Sequence, residues 1–352
     1  LLQLQPAVVL QETAHAFRRR CPTPVFFGSD GVGPDKPRVN LITILGAPGC
    51  GGTILMSGLC RYLGFTGIPE NQFLYHWVAR MGSDHRRRVN GDILLQYLSE
   101  TLPDDSFLNS FDFRNCDLAQ FLDRGRSYTP LEAYFRVVQY LMPRHSLELS
   151  RAYGHVNVLD RSSTLALVAD VLFHCLPEHR AVLMLRDPLD HICALRRLSL
   201  QFQEVWPAKY CGLSGLCRLL LESLSIPLQS APIGQLSLVS YERLRNSPEE
   251  QIEIIYSSFE PAPSSYYALE PLTPRDPTLL NDKYHHNYES FLDSLPAQLL
   301  NPHEQEWKQA CLFGSTRTQS HIDHICDGRF SAEELEDTRE LFAPLQLLHH
   351  LL

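Results

Sequence analysis

The residues best suited to chemistry sit in a few short runs. The first is Gly46-Ala47-Pro48-Gly49-Cys50-Gly51-Gly52-Thr53. Glycines let a backbone come close to a ligand, and successive N–H groups at such a turn can surround an anion. The run is one residue short of a P-loop, because the lysine that would precede Thr53 is Gly52. NTPases use that lysine on the β- and γ-phosphates, so its loss counts against an ordinary ATPase or kinase. A strand-to-helix turn that holds no ligand is the other reading of the run. The second run is Arg186-Asp187-Pro188. An arginine there can grip a phosphate with two parallel hydrogen bonds, and the proline suits the first turn of a helix. The third is Tyr241-Glu242. His76, His145, His285 and His286 are the imidazoles that could act as a general base. His321, Asp323, His324 and Cys326 cluster, but their spacing fits no common zinc signature, and no metal is expected. Ser57, Ser162 and Ser163 lack the Gly-x-Ser-x-Gly setting of a serine hydrolase.

These runs need strands to position them. Val39–Leu45 is apolar and rich in β-branched residues, which reads as a buried strand running into Gly46. Ile54, Leu55, Leu59 and Leu63 then recur at helical spacing. His155–Leu159 reads as a strand before Asp160-Arg161-Ser162-Ser163, with a helix over about 164–176. Ala181–Leu185 reads as another before Arg186, with a helix over about 188–203. Leu236–Val239 leads to Ser240-Tyr241-Glu242 and a helix near 248–259. Alternating strands and helices predict a parallel sheet covered on both faces, with ligands beyond the carboxyl ends of the strands. Residues 70–150 read as helical and irregular, with one-faced patterns at Leu94-Leu95-Leu98, Leu118-Phe121-Leu122 and Tyr134-Val137-Val138-Leu141. Arg86-Arg87-Arg88 in this stretch reads as a solvated charge run. Residues 260–300 read as a long loop or lid.

The 352 residues carry 44% hydrophobic and 20% charged side chains, enough apolar content for a sizeable core. A formal net charge of -9 makes a general nucleic-acid binder an unfavourable reading, although a local basic pocket is compatible with it. No apolar run reaches the ~18 residues that cross a bilayer. The ten cysteines form no Cys-x-x-Cys pair, and several lie in apolar helical patterns. No Asn-x-Ser/Thr acceptor is present. A reduced, cytoplasmic protein is the expectation, with a lumenal domain separated from its anchor as the alternative.

Taken in order, the Gly-rich loop, a basic residue after the next strand, Arg-Asp-Pro after a third and Ser-Tyr-Glu-Arg-Leu after a fourth resemble the sulfotransferases that use 3′-phosphoadenosine 5′-phosphosulfate. The tyrosylprotein and bacterial branches look most similar, over roughly residues 40–300. The resemblance implies an α/β fold with a P-loop-like parallel sheet and helices on both faces. It implies that Gly46, Pro48, Gly49, Cys50, Gly51, Gly52, Thr53 and Ile54 surround the 5′-phosphosulfate. It implies that Arg186, with position 194, holds the 3′-phosphate and that Tyr241 helps hold the nucleotide. Arg161 matches a basic residue that supports the transferring sulfonyl group. Glu70, seventeen residues beyond Thr53, falls where a catalytic carboxylate is expected, with His76 the second choice for the base. Two positions depart from the pattern. Gly49 stands where a lysine or arginine is usual, and Ala194 where a serine is usual.

The expectation is therefore a single domain over 1–352, with a core at about 40–260 and lid and helices at 261–352. It transfers a sulfonyl group from the phosphosulfate donor to an acceptor hydroxyl or amine, which could belong to a small molecule, a glycan or a protein tyrosine. No metal and no nucleic acid take part. Arg161 replaces the cation missing at Gly49. The competing readings are a nucleotide-binding scaffold that lost catalysis and, further off, a degenerate P-loop kinase.

Overall fold

The computed structural model describes residues 38–63, 65–68, 70–81, 87–101, 122, 125–142, 156–176, 178–201, 208–259 and 267–268. The strands are β1 (Arg38–Leu45), β2 (Thr66–Ile68), β3 (Val89–Asn90), β4 (Ser127–Tyr128), β5 (Val156–Asp160), β6 (Arg180–Leu185), β7 (Leu236–Ser240) and β8 (Tyr267–Ala268). The helices are α1 (Gly52–Leu63), α2 (Phe73–Met81), α3 (Gly91–Thr101), α4 (Pro130–Leu141), α5 (Ala169–Cys175), α6 (Pro188–Gln201), α7 (Gly212–Ser230), α8 (Tyr241–Asn246) and α9 (Pro248–Ser258). A 3₁₀ segment, Ser163–Val168, precedes α5.

The main sheet has the order β2-β5-β1-β6-β7, and every neighbouring pair along it is parallel. β8 adds an antiparallel pairing to the start of β1. β3 and β4 form a separate antiparallel hairpin. Thr43 of β1 faces Asp160 of β5 on one side and Ala181 of β6 on the other, so the central strands reach the same edge together. Leu41, Ile42, Ile44 and Leu45 are all buried, as are Ala181 through Leu185. Consecutive buried residues in a strand mean that both faces are covered. α1 packs with α9, whereas α7 packs with α5, α6 and the 3₁₀ segment.

α4 supports the site from a distance, so its start matters. Thr129 and Glu132 form a capping box: the Thr129 Oγ1 accepts from the Glu132 N–H at 3.2 Å, and the Glu132 carboxylate accepts from the Thr129 N–H at 2.8 Å. Pro130 fits the first turn. The stripe Tyr134, Val137, Val138 and Leu141 is then buried as one face.

The four strands read from sequence are all present. The helix expected over 164–176 is split, with a 3₁₀ start and α5 only from Ala169. β8 falls inside the stretch read as a loop. The hairpin β3–β4 and the short β2 were not foreseen. Leu118 and Phe121, Arg86, and the expected lid and C-terminal helices at 261–352, apart from 267–268, lie outside the described residues. Arg87 and Arg88 are exposed as a charge run should be, and Arg88 pairs with Glu132 at 2.8 Å. Among the described residues, no helix is long and apolar enough to cross a membrane.

Candidate functional site

Parallel strands deliver whatever follows them to one edge. With the order β2-β5-β1-β6-β7, that edge carries Glu70 after β2, Arg161 after β5, the Gly-rich loop after β1, Arg186 after β6 and Tyr241 after β7. The two arginines therefore flank the loop.

The loop leaves β1 at Gly46 and enters α1 at Gly52. Gly49 and Gly51 have φ of 82° and 93°, a region that side chains with a Cβ avoid. A Cβ on Gly51 would lie 2.3 Å from the Tyr241 ring, so the ring packs directly on the turn. A Cβ on Gly49 would lie 3.2 Å from the Ala194 Cβ. Positions 49 and 194, where the sequence reading expected a basic residue and a serine, thus face each other, and a lysine at 49 would be strained and aimed at α6. Of the first N–H groups of α1, those of Ile54 and Leu55 donate to the Gly51 carbonyl at 3.0 and 3.2 Å; N–H groups at a helix start are natural donors to an anion. One of them, Gly52 N–H, is aimed at the buried Cys50 sulfur. Burial pushes the Cys50 thiol up, so it stays protonated.

Side chains behind the loop hold its carbonyls. Arg186 Nη1 donates to the Gly49 carbonyl at 2.8 Å, and its guanidinium lies 4.6 Å from the Tyr241 ring centre. Arg186 Nε is buried without a hydrogen-bond partner. His191 Nε2 is 3.0 Å from the Pro48 carbonyl, and since a carbonyl only accepts, this nitrogen carries the proton. The carboxylate of Glu242 accepts from the Asp187 N–H at 2.9 Å and the Ser240 hydroxyl at 2.8 Å, tying the end of β7 to the end of β6. Glu242, more than Tyr241, is thus the structural half of the Tyr-Glu pair.

On the other flank, Arg161 Nη2 and Glu70 Oε2 form an ion pair at 2.6 Å, with both side chains largely shielded from water. Glu70 Oε1 accepts from the Ser163 hydroxyl at 2.6 Å and the Ser163 N–H at 3.2 Å. A Cβ on Gly52 would stand 3.8 Å from Arg161 Cδ. The Arg161 stem therefore passes beside the position from which a P-loop lysine would project. The two residues proposed from sequence as base and replacement cation are direct neighbours.

His76 is placed differently. Its Nε2 is 3.2 Å from Gln72 Oε1, and its ring is 5.3 Å from that of Tyr75. These partners belong to its own segment. Burial and the nearby Arg80 lower its pKa to about 4. His191 is lowered to about 4, chiefly by burial and then by Arg186, and His179 to about 3 by burial. His145, His285, His286 and the His321–Cys326 cluster lie outside the described residues. Among the described residues, no group of three or more His, Cys, Asp or Glu side chains is placed to hold a metal.

The three lowered histidines, His179 and His191 buried and His76 half-buried, predict a pH dependence of stability. An unfolded histidine titrates near 6.5. Between pH 6.5 and about 4 the unfolded chain binds protons that the folded chain refuses, so stability is full above 6.5 and falls as pH drops. Asp160 acts in the opposite sense, because burial raises its carboxyl, but it is one group against three. The urea midpoint should fall steadily over this window, with about three protons taken up on unfolding near pH 5 from these histidines. A flat midpoint between pH 6.5 and 4.5 would contradict the burial of neutral imidazoles.

Sequence reasoning missed His191, Ser163, Asn71, Tyr134 and the role of Glu242. His191 had a usable signal, since it sits one turn into a helix that starts at the arginine motif. Tyr134 had another, because a tyrosine in an aliphatic stripe needs a partner for its hydroxyl.

A mostly parallel α/β sheet with a glycine loop at its carboxyl edge is the class that fold and site define. No protein-family profile matches the sequence, and no curated protein does. Among solved structures the chain is similar to the sulfotransferase domain from the curacin biosynthetic pathway, at 16% identity and a TM-score of 0.40, over 67% of this chain and 75% of that one. It is also similar to a sulfotransferase from Alicyclobacillus acidocaldarius, at 13% identity and a TM-score of 0.33, over 73% of this chain and 92% of that one. A third is sulfotransferase STF1 from Mycobacterium tuberculosis H37Rv, at 12% identity and a TM-score of 0.40, over 72% and 71%. At such distances the likeness carries no argument, and any activity has to be argued from the residues of this chain.

Proposed function

We propose that this chain transfers a sulfonyl group from 3′-phosphoadenosine 5′-phosphosulfate to an acceptor hydroxyl or amine. The observation that supports this reading most is the glycine loop without a cation of its own, flanked by Arg161 and Arg186, with a carboxylate paired to Arg161. The loop N–H groups and the start of α1 suit the 5′ end of the donor. Arg186, with its unpartnered buried Nε, suits the 3′-phosphate once its hold on the Gly49 carbonyl is exchanged for the ligand. Tyr241 closes the wall between them.

In the reaction, the acceptor oxygen attacks sulfur as its O–H proton passes to Glu70. A new S–O bond forms, and the S–O bond to the 5′-phosphate breaks. The leaving nucleotide keeps that electron pair, with loop N–H groups and Arg161 offsetting its charge. A carboxylate has about four acceptor sites. Among the described residues Arg161 and Ser163 take three of those on Glu70, which leaves one on Oε2 for the acceptor.

3′-Phosphoadenosine 5′-phosphate should raise the melting temperature more than AMP or ATP does. Arg186→Ala should weaken that nucleotide by roughly 1.5–3 kcal/mol, the range for hydrogen bonds to charged groups, with the fold intact. Calorimetric titration and thermal melting read both. Equal shifts with AMP and the 3′-phosphorylated nucleotide would overturn the assignment of Arg186. The facing Gly49 and Ala194 favour a second reading, a nucleotide-binding scaffold. Tight binding of the 3′-phosphorylated nucleotide without turnover on any acceptor would select it.

A further inference from the structure

Two carboxylates lie at neighbouring strand ends, Asp160 on β5 and Glu70 after β2, and their hydrogen bonds differ in kind. Glu70 keeps an open acceptor site. Asp160, fully buried, keeps none. Its Oδ1 accepts from the Ser162 N–H at 2.8 Å and the Ser162 hydroxyl at 2.5 Å. Its Oδ2 accepts from the Tyr134 hydroxyl at 2.6 Å and the Asn71 side-chain amide at 3.0 Å. All four sites are filled by donors, so Asp160 has no place for a substrate proton.

The partners are not scattered. Asn71 adjoins Glu70, and its backbone N–H is also held, by the Ser162 hydroxyl oxygen at 2.8 Å. Ser162 adjoins Arg161 on one side and Ser163, the donor to Glu70, on the other. Asp160 therefore grips the chain immediately after Glu70 and immediately after Arg161. The Ser163 hydroxyl and the ion pair close the ring. Tyr134 anchors this ring to α4, whose start is fixed by its capping box. A buried anion is costly to desolvate, and here neutral donors offset that cost. An apolar residue would pack at less expense but would leave residues 70–71 and 161–163 without a common anchor.

We infer that Asp160, with Tyr134 behind it, is the positioning residue that sets Glu70 and Arg161 in register with the glycine loop. This inference rests on the sulfonyl-transfer reading and deepens it. It predicts coupling. An asparagine at 160 would turn an amide toward fixed donors, loosening both flanking segments at once. A misplacement of order 1 Å at reacting groups costs about 10²-fold in rate.

The test uses the full chain with Asp160→Asn, Tyr134→Phe, Glu70→Gln and the double variants. Turnover, donor KM, nucleotide-binding stoichiometry and urea midpoints are measured for each. Asp160→Asn should lower kcat about 10²-fold with donor KM and stoichiometry unchanged. Tyr134→Phe, which touches neither Glu70 nor Arg161, should lower kcat in the same direction by a smaller factor. Either change added to Glu70→Gln should cost little more in kcat than Glu70→Gln alone, and their urea midpoints should be non-additive. A merely structural role would lower stoichiometry and midpoint while sparing kcat per folded molecule, and that result would overturn the inference. If Asp160→Asn does not fold, unchanged kcat in Tyr134→Phe would overturn it. A wild type without turnover would remove the role together with the sulfonyl-transfer reading. Surviving non-additivity in the urea cycle would then show that the geometry itself had not failed.

Discussion

Glu70→Gln is expected to lower turnover by about 10²–10⁴-fold while leaving the affinity for 3′-phosphoadenosine 5′-phosphate within about twofold. The first factor is what a positioned general base contributes. The second follows from geometry, because the glycine loop and Arg186, the nucleotide holders in the proposed function, lie on the far side of Arg161 from Glu70. Glutamine nearly preserves shape. Its carbonyl can still accept from Ser163, but its amide cannot take a proton and turns two donors toward Arg161. The ion pair is therefore lost along with the base, and both effects lower the rate. Glu70→Asp separates them: it keeps charge and basicity but withdraws the carboxylate by one methylene. If positioning is what matters, Glu70→Asp falls close to Glu70→Gln. Turnover of Glu70→Gln equal to wild type, measured with radiolabelled donor, would remove Glu70 as the base. His76 would not inherit the role easily, since its Nε2 is engaged with Gln72 of its own segment.

The parts of the fold that could be read in advance are those whose pattern is local. Val39–Leu45 and Ala181–Leu185 announce themselves because a buried parallel strand is a continuous apolar run, and each ends in a run of chemical interest. β2 does not, because Thr66-Gly67-Ile68 is too short to show any period. Yet β2 carries Glu70 to the site. The position of Glu70 was reached through resemblance to a family, and its contact with Arg161 depends on β2 pairing with β5. Sequence spacing says nothing of that pairing, because 91 residues separate Glu70 from Arg161. The hub at Asp160 was hidden for the same reason. Asn71, Tyr134 and Ser162 come from three segments, and each alone reads as ordinary: a loop amide, a core aromatic, a helix-start serine. Gly49 and Ala194 were noted in the sequence as two separate positions. Only the structure shows that they face each other, a Cβ on Gly49 lying 3.2 Å from that of Ala194.

Arg161→Ala is expected to lower turnover by about 10²–10³-fold, the cost of removing one stabiliser of charge that develops in the transition state. On the proposed function this charge comes from position 161. A side chain at Gly49, at φ 82°, would be strained and crowded against Ala194. Gly52 lacks a side chain, and the Arg161 stem runs beside it. Arg186 lies on the opposite flank, under the Tyr241 ring, and is assigned to the 3′-phosphate. Of the cations described at this edge, Arg161 is thus the one beside both the loop and Glu70. Its effect should appear in kcat more than in nucleotide affinity, because the charge is needed most as the sulfonyl moves. Removing it also leaves Glu70 without its cation in a shielded site, so some loss of stability is expected. Arg161→Lys controls for this: it restores a cation to Glu70 without the planar fork. Recovery of midpoint without recovery of kcat would show that the guanidinium geometry carries the rate. Recovery of neither would instead point to packing of the arginine stem. Wild-type kcat in Arg161→Ala would refute the replacement of the missing loop cation by Arg161 and leave the loop N–H groups to offset the charge on the leaving nucleotide.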